Sequence, residues 1–204
     1  MEFYDAVNTR RTVRDWQDRD VSSEQIGRIL NAALKAPTND HNRQWEFVIL
    51  RDAADKERAL AYVKKAADRQ VSAGIRPADA TPARKMYAYA MPRQYTMLAY
   101  APFVIIPFFK GAGIYRASSL SALNSFASIW CAIENIFLAA SAEGLACSMR
   151  IPLLEEAKSV ERIVEAPEGY AMACYIGVGY AIDESRNLEQ NMYSVEQKAH
   201  YGKW

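Results

Sequence analysis

Between Phe126 and Ala140 the chain carries a run that only a well-sheltered helix can satisfy. Phe126, Ile129, Trp130, Ile133, Ile136, Phe137 and Ala140 recur at three- and four-residue spacing, and most positions between them are apolar as well. A surface helix shows one apolar stripe, whereas a helix apolar on nearly all sides is buried on nearly all sides. A chain of 204 residues has little spare surface for that cover. A second subunit is the natural source, so the run predicts a dimer. It does not predict a membrane span, because Glu134 and Asn135 interrupt it and leave it too short and too polar to cross a bilayer.

The flanking segments predict a sheet for that helix to pack on. EFVIL (46–50), APFVIIPFF (101–109), GLACSMRI (144–151) and YAMACYIGVGYA (170–181) read as strands. Ser22-x-x-Gln25 has the form of a capping box, followed by Ile26, Ile29, Leu30, Ala33 and Leu34 at helical spacing and closed by Pro37. A charged helix is expected from about Ala53 to Ala67, and another around Leu154–Val164. Residues 72–93 carry three prolines without steady periodicity and read as a lid or excursion. Met86, Tyr87, Tyr89 and Met91 there suit an aromatic lid and a packing surface equally well. Residues 182–204 are polar with scattered aromatics (Tyr193, Tyr201, Trp204) and read as an arm that needs another surface. The sum is one α+β domain over residues 1–204, with a central sheet and a core helix.

Charge and cysteine usage exclude several classes. Lys and Arg number 25 against 24 Asp and Glu, a balance that argues against nucleic acid as a partner. Cys131, Cys147 and Cys174 sit in apolar runs and read as small buried residues of a reducing compartment. No CxxC or HxxxH spacing occurs and the histidines are His41 and His200, so no metal site is expected. MEFYDAVNTRR has no apolar core, which argues against a signal peptide. The expected location is cytoplasmic, with no membrane partner.

Two clusters carry chemistry. Arg10-Arg11-Thr12-Val13-Arg14 places three guanidiniums and a hydroxyl within five residues, suited to a phosphate or another anion through planar, charge-assisted bonds. On composition alone a solvated basic turn is the better account. Ala36-Pro37-Thr38-Asn39-Asp40-His41-Asn42-Arg43-Gln44-Trp45 places amides and hydroxyls between a capped helix and a buried strand. Such a loop offers donors and acceptors to a heteroaromatic edge, while a self-capping Asn-Asp turn is the plain alternative.

Together these clusters resemble the nitroreductase family of FMN enzymes. RRTVR (10–14) and APTNDHNRQW (36–45) match its N-terminal basic segment and its following loop, in order and in spacing to the strand EFVIL. The similarity runs on through SIWCAIENIFLAASAEGLACSM (128–149) and GYAMACYIGVGYA (169–181) to AHYGKW (199–204). It implies a mixed central sheet flanked by helices, in an intertwined homodimer whose C-terminal arms are exchanged. It also implies one FMN per subunit in a cleft lined by both chains. By position, Arg10, Arg11, Thr12 and Arg14 would hold the flavin phosphate and the pyrimidine side of the ring. Pro37, Thr38, Asn39 and Asn42 would come from the second subunit and touch the ribityl chain and ring. Met149, Arg150 and Ile151 would lie along the ring. A backbone N–H of Arg150 or Ile151 would sit near N5, since Pro152 has none to donate.

The chain departs from the family pattern at three places. The basic pair expected after the last strand is replaced by Glu189-Gln190-Asn191, so Arg186, Lys198 or the N-terminal arginines alone must meet the phosphate. Gln44-Trp45 lacks the intervening proline. Arg93 and Thr96 stand where the family often has an Asn and a Lys near the flavin N1, which makes Arg93 a candidate for N1 charge. The resemblance implies hydride transfer from NADH or NADPH through the flavin to a nitroaromatic, quinone or similar acceptor in a ping-pong cycle, with no catalytic side chain. Reductive dehalogenation, flavin-consuming chemistry, or a flavin-binding module with little turnover are the alternatives.

Overall fold

The computed structural model describes residues 1–72, 81–111, 118–183 and 192–204. Its centre is β2 (Phe103–Lys110), which is buried on both faces. Phe103, Ile105 and Phe109 point into one core, while Val104, Ile106 and Phe108 point into the other. A strand covered on both sides must be apolar throughout rather than alternating, which is why it reads as an unbroken run. β1 (Trp45–Leu50) pairs along one edge of β2, with Trp45 opposite Phe109 and Leu50 opposite Val104. β5 (Tyr175–Gly179) pairs along the other edge, and β3 (Ala146–Arg150) lies outside it. β4 (Tyr170–Met172) continues the line of β5 along the far half of β2.

Every strand pair is antiparallel, which corrects the expectation of a mixed sheet. The parallel pairing present is a single bridge, Thr12 to Cys147. The run 170–181 is also two strands rather than one. Phe108 faces Met172 and Ile105 faces Ile176, so three residues oppose two between these pairs. That one-residue excess is a bulge. Pro107 sits opposite it, with its carbonyl accepting from the Ala173 N–H at 2.9 Å. The missing N–H of Pro107 faces the same bulge, which explains a proline inside a central strand.

Helices cover both faces. On one side lie α2 (Ser23–Ala33) and α6 (Asn124–Ala142). The capping box is formed as read: Ser22 Oγ accepts from the Gln25 N–H and Gln25 Oε1 from the Ser22 N–H. On the other side lie α3 (Ala53–Ser72), α5 (Thr96–Ala99) and α7 (Leu154–Ile163). α5 crosses β5 at close range. A Cβ on Gly177 would meet Met97 O at 2.7 Å, and one on Gly179 would meet Pro102 Cδ at 2.5 Å, so both positions require glycine. Three helices were not expected from the sequence, the short α5 among them. α1 (Phe3–Thr9) packs on α6 through Ser141, and α4 (Pro82–Ala90) occupies the second half of the presumed excursion. The first half of that excursion, residues 73–80, lies outside the described residues.

α6 is longer than expected. With the turn Ser121–Leu123 it forms a helical run of 22 residues that, by length and composition, is enough to cross a membrane. It serves here as the core helix, with Ile129, Ala132, Ile133, Ile136 and Ala140 buried against the sheet and α2. The expectation of burial on nearly all sides is not met within one chain. Ala127, Cys131 and Glu134 are exposed, and Trp130, Phe137 and Leu138 are half-buried. Cys131 thus departs from the reading of all three cysteines as buried, while Cys147 and Cys174 follow it.

Candidate functional site

After α1 the basic segment runs beside β3, where the Val13 N–H donates to Cys147 O at 2.9 Å. Val13 is buried in the core, and strand-like alternation turns Thr12 and Arg14 away from it. Arg11 spends one terminal nitrogen on the carbonyls of Asn8 and Arg10, at 3.1 and 2.8 Å. Arg10 is half-buried and close enough to Cys147 to act on its thiol. Burial nonetheless dominates there and pushes the thiol up to about 12.

Arg14 occupies the most distinctive setting. Its neighbour Asp15 is fully engaged, since Tyr89 Oη donates to one carboxylate oxygen and Arg93 Nε lies 3.2 Å from both. The Arg93 guanidinium stacks over the Tyr89 ring at 3.9 Å and donates from Nη1 to Tyr89 O at 3.1 Å. Asp15 therefore offsets Arg93, and Arg14 Nε is left buried without a partner. Burial is the largest cause lowering the Arg14 pKa, and the positive charge of Arg93 adds to it, although Tyr89 and Asp15 pull the other way. Guanidinium stays protonated regardless. The result is a half-buried cation with an unused donor, the setting that an incoming anion would satisfy.

At the end of β3, Met149 is half-buried and Ile151 is exposed. Arg150 between them is buried and turned inward. Its Nε and Nη2 grip both oxygens of the fully buried Glu156, at 2.9 and 2.8 Å, and its Nη1 donates to Gln94 Oε1 at 3.0 Å. Its side chain is buried and directed at these inward partners, so what this strand end can offer outward is backbone together with Met149 and Ile151. The buried hydroxyl of Tyr175 completes this interior, with its pKa raised first by burial and then by the Glu156 charge.

The loop after α2 is strained. Asp40, His41 and Arg43 all adopt positive φ, between 48° and 53°. Such residues cost on the order of 1–3 kcal/mol each and concentrate at functional sites. The Asn39 N–H donates to Ser128 Oγ on α6 at 3.2 Å, and the Arg43 N–H donates to Thr38 Oγ1 at 3.3 Å. Pro37 and Asn42 are exposed, and Thr38 and Asn39 half-exposed. The pocket between this loop, Trp45, Ser125 and Ser128 holds only about 10 Å³, room for one water. Among the described residues no hydrogen bond or ion pair joins this loop to Arg10–Arg14. The fold places Arg14 beside Arg93, Asp15 and Tyr89, with Gln94 reaching on to Arg150, and leaves residues 37–42 next to Gln44, whose carbonyl accepts from the Lys110 N–H at the end of β2.

The C-terminal candidates divide. Arg186 and the Glu189-Gln190-Asn191 stretch lie outside the described residues. Lys198 is exposed, with its ammonium 4.1 Å from the Tyr193 ring centroid. A larger cavity of about 540 Å³ lies between α7 and residues 166–170, where Glu155, Glu161, Glu165 and Glu168 outnumber Lys158 and Arg162 in the lining and leave it net acidic, a poor setting for a phosphate. Among the described residues no group of three His, Cys, Asp or Glu side chains could hold a metal. Sequence reasoning missed Asp15, Gln94, Tyr89 as a hydroxyl donor, and Glu156. Only Asp15, adjacent to Arg14, gave a local signal.

The Nitroreductase family model matches residues 7–180. A Methanothermobacter thermautotrophicus protein with the provisional name NADH dehydrogenase/NAD(P)H nitroreductase is 40% identical over 52 residues, about a quarter of either chain (26% of this one and 27% of that one). An Archaeoglobus fulgidus protein of the same provisional name is 26% identical over 201 residues, 97% of this chain and 96% of its own. An iodotyrosine deiodinase structure bound to FMN and 3-iodo-L-tyrosine shares the fold, with a TM-score of 0.74 at 20% identity and complete coverage of both chains.

Proposed function

Because the chain belongs to the Nitroreductase family, we propose that it is an FMN-dependent oxidoreductase that passes a hydride from NADH or NADPH to a nitroaromatic, a quinone or a similar acceptor, in a ping-pong cycle and as a homodimer. The observation that carries the cofactor reading is Arg14: a half-buried guanidinium whose Nε has no partner while the neighbouring carboxylate is spent on Arg93 and Tyr89. The residues present fit an anionic, heteroaromatic group on that ground. When bound, FMN supplies the two-electron chemistry, accepting and returning hydride at N5.

The chain's own residues bind and orient. Arg14 and Arg10 meet the phosphate and the pyrimidine edge, with Thr12 as a hydroxyl donor. Arg11 contributes what its two carbonyl contacts leave over. Arg93 adds positive charge near N1 only to the extent that Asp15 leaves it unneutralised. The backbone N–H of Ile151 or Arg150 donates toward N5, and Met149 and Ile151 cover the ring beside it. Pro37, Thr38, Asn39 and Asn42 of the second copy close the site, in keeping with their separation from the arginines of their own chain. The named relatives support NAD(P)H as the donor class.

Reductive dehalogenation is a second reading, favoured by the full-length likeness to the deiodinase fold. Anaerobic turnover on a halophenol against a nitroarene separates the two. FMN binding isotherms test the site. Losing one charge-assisted bond, worth roughly 1.5–3 kcal/mol, weakens binding about ten- to a hundredfold. Arg10→Ala and Arg14→Ala are expected to do so in a folded protein, and FMN is expected to be retained less well at high salt than at low salt because part of the grip is ionic. An effect confined to Arg186→Ala and Lys198→Ala would refute the N-terminal assignment.

A further inference from the structure

β3 ends at Arg150 and α7 begins at Leu154, so only Ile151, Pro152 and Leu153 connect them. Pro152 has no N–H, which leaves the Arg150, Ile151 and Leu153 amides as the donors of that turn, the first two on the strand side. Arg150, on the strand side, and Glu156, in the first turn of α7, close it across its base with two parallel bonds of 2.9 and 2.8 Å. A planar fork on a carboxylate fixes direction as well as distance. The third donor, Nη1, reaches Gln94 at 3.0 Å, and Gln94 Nε2 donates to the Ala90 carbonyl at the end of α4 at 3.2 Å. The turn is therefore tied to β3, α7 and α4 at once. Arg150 and Glu156 are buried and use their charge on each other, so neither can touch a ligand from where it stands. An apolar pair of similar volume would hold the same two elements together about as well, because burying two charges costs roughly what their attraction returns. What the apolar pair would lack is the directional constraint.

We propose that Arg150 is a positioning residue: its fork on Glu156, braced by Gln94, fixes the Arg150–Ile151 backbone so that its amide is aimed at the flavin before the flavin arrives. The inference rests on the FMN reading above and adds what sets the geometry of its N5 donor. A preset donor would meet the N5 lone pair of the oxidised ring, so it favours that ring over the reduced one, whose N5 already carries a hydrogen, and it would make N5 a better hydride acceptor without reorganisation at the moment of transfer. The clamp also makes α4, which carries Met86 and Tyr87, answer to the same turn.

The test uses Arg150→Met combined with Glu156→Leu, Arg150→Lys alone, and Gln94→Ala, each in the full chain. Amide hydrogen exchange across residues 149–153 is read in the flavin-free protein. The affinity for oxidised and reduced FMN is then measured, followed by kcat and KM. The apolar double variant is expected to unfold as cooperatively as wild type while its 150–151 amides exchange about tenfold faster. Its preference for oxidised over reduced FMN is expected to fall about tenfold, equivalent to a rise of about 30 mV in the two-electron potential. Turnover should fall with KM for the acceptor unchanged. Arg150→Lys, which keeps the charge without the fork, should share the loss. If the double variant fails to fold, Gln94→Ala decides, since it leaves the ion pair intact and should shift exchange and preference in the same direction by roughly three- to tenfold. Folded variants with wild-type exchange and wild-type preference overturn the clamp and leave the cofactor reading standing. A wild-type chain that binds no FMN overturns the cofactor reading itself, and this proposal with it.

Discussion

Arg14 shows why a single residue can carry more information than a motif. Three arginines in five positions give a cation cluster, but the cluster alone does not say which cation is available. The structure separates them: Arg11 is bonded to its own backbone, Arg93 is matched to Asp15, and Arg14 has a donor with nothing to meet. The cysteines separate in the same way. Burial pushes the Cys147 thiol up to about 12 and raises that of Cys174, so neither forms a thiolate near neutral pH. A native thiol titration at pH 8 is expected to detect neither, and both should react after denaturation. Replacing the three together with Ala should cost roughly 0.5–3 kcal/mol for each buried site yet leave turnover intact. Lost turnover in a folded, flavin-loaded triple variant would reveal a redox thiol instead.

Elements differ in how much of them the sequence discloses. α2 was legible because its cap, its buried stripe of Ile26, Ile29 and Ala33, and its closing proline are all local. Ser22→Ala removes the cap and should cost about 1 kcal/mol in urea denaturation. α4 is hidden in the sequence because residues 72–93 carry three prolines and no steady periodicity, which reads as an excursion. Thr81 caps the helix and Pro82 opens it, a position where proline's missing N–H costs nothing. The break in the run 170–181 was not legible, because a bulge is defined by the partner strand and not by the strand itself. The site divides along the same line. The arginine cluster and the amide loop stand out as strings, whereas Asp15 meets Tyr89 and Arg93 across 74 and 78 residues of chain. Arg150 meets Gln94 across 56, and no spacing rule reaches that far. The Arg150–Glu156 pair carries its own stability prediction. Glu156→Ala strands a buried cation and should cost about 3–5 kcal/mol, while replacing both partners with apolar residues should be near neutral. Equal losses in the two variants would show that the pair stabilises in its own right.

At the scale of the molecule, one chain leaves several apolar surfaces open that the proposed second copy would cover. The outer side of α6 exposes Cys131 and half-exposes Trp130 and Leu138, α1 presents Phe3 and Tyr4, and the C-terminal residues Met192, Tyr193, Tyr201 and Trp204 are all exposed. Exposed apolar area on this scale marks an interaction surface, and a second copy carrying residues 37–42 would both cover it and complete the site. Deleting residues 183–204 is therefore expected to cost solubility and flavin together. A soluble, monomeric, flavin-loaded truncation would contradict the dimer. The proposed chemistry stands or falls on the flavin. The most direct measurement is the absorption spectrum of the purified protein during anaerobic titration with NADH or NADPH. The account predicts one FMN per chain, a yellow spectrum, and bleaching by one equivalent of reductant, with colour restored by a nitroarene or quinone. A colourless protein that takes up no FMN, or a yellow one that neither nucleotide bleaches, would contradict it.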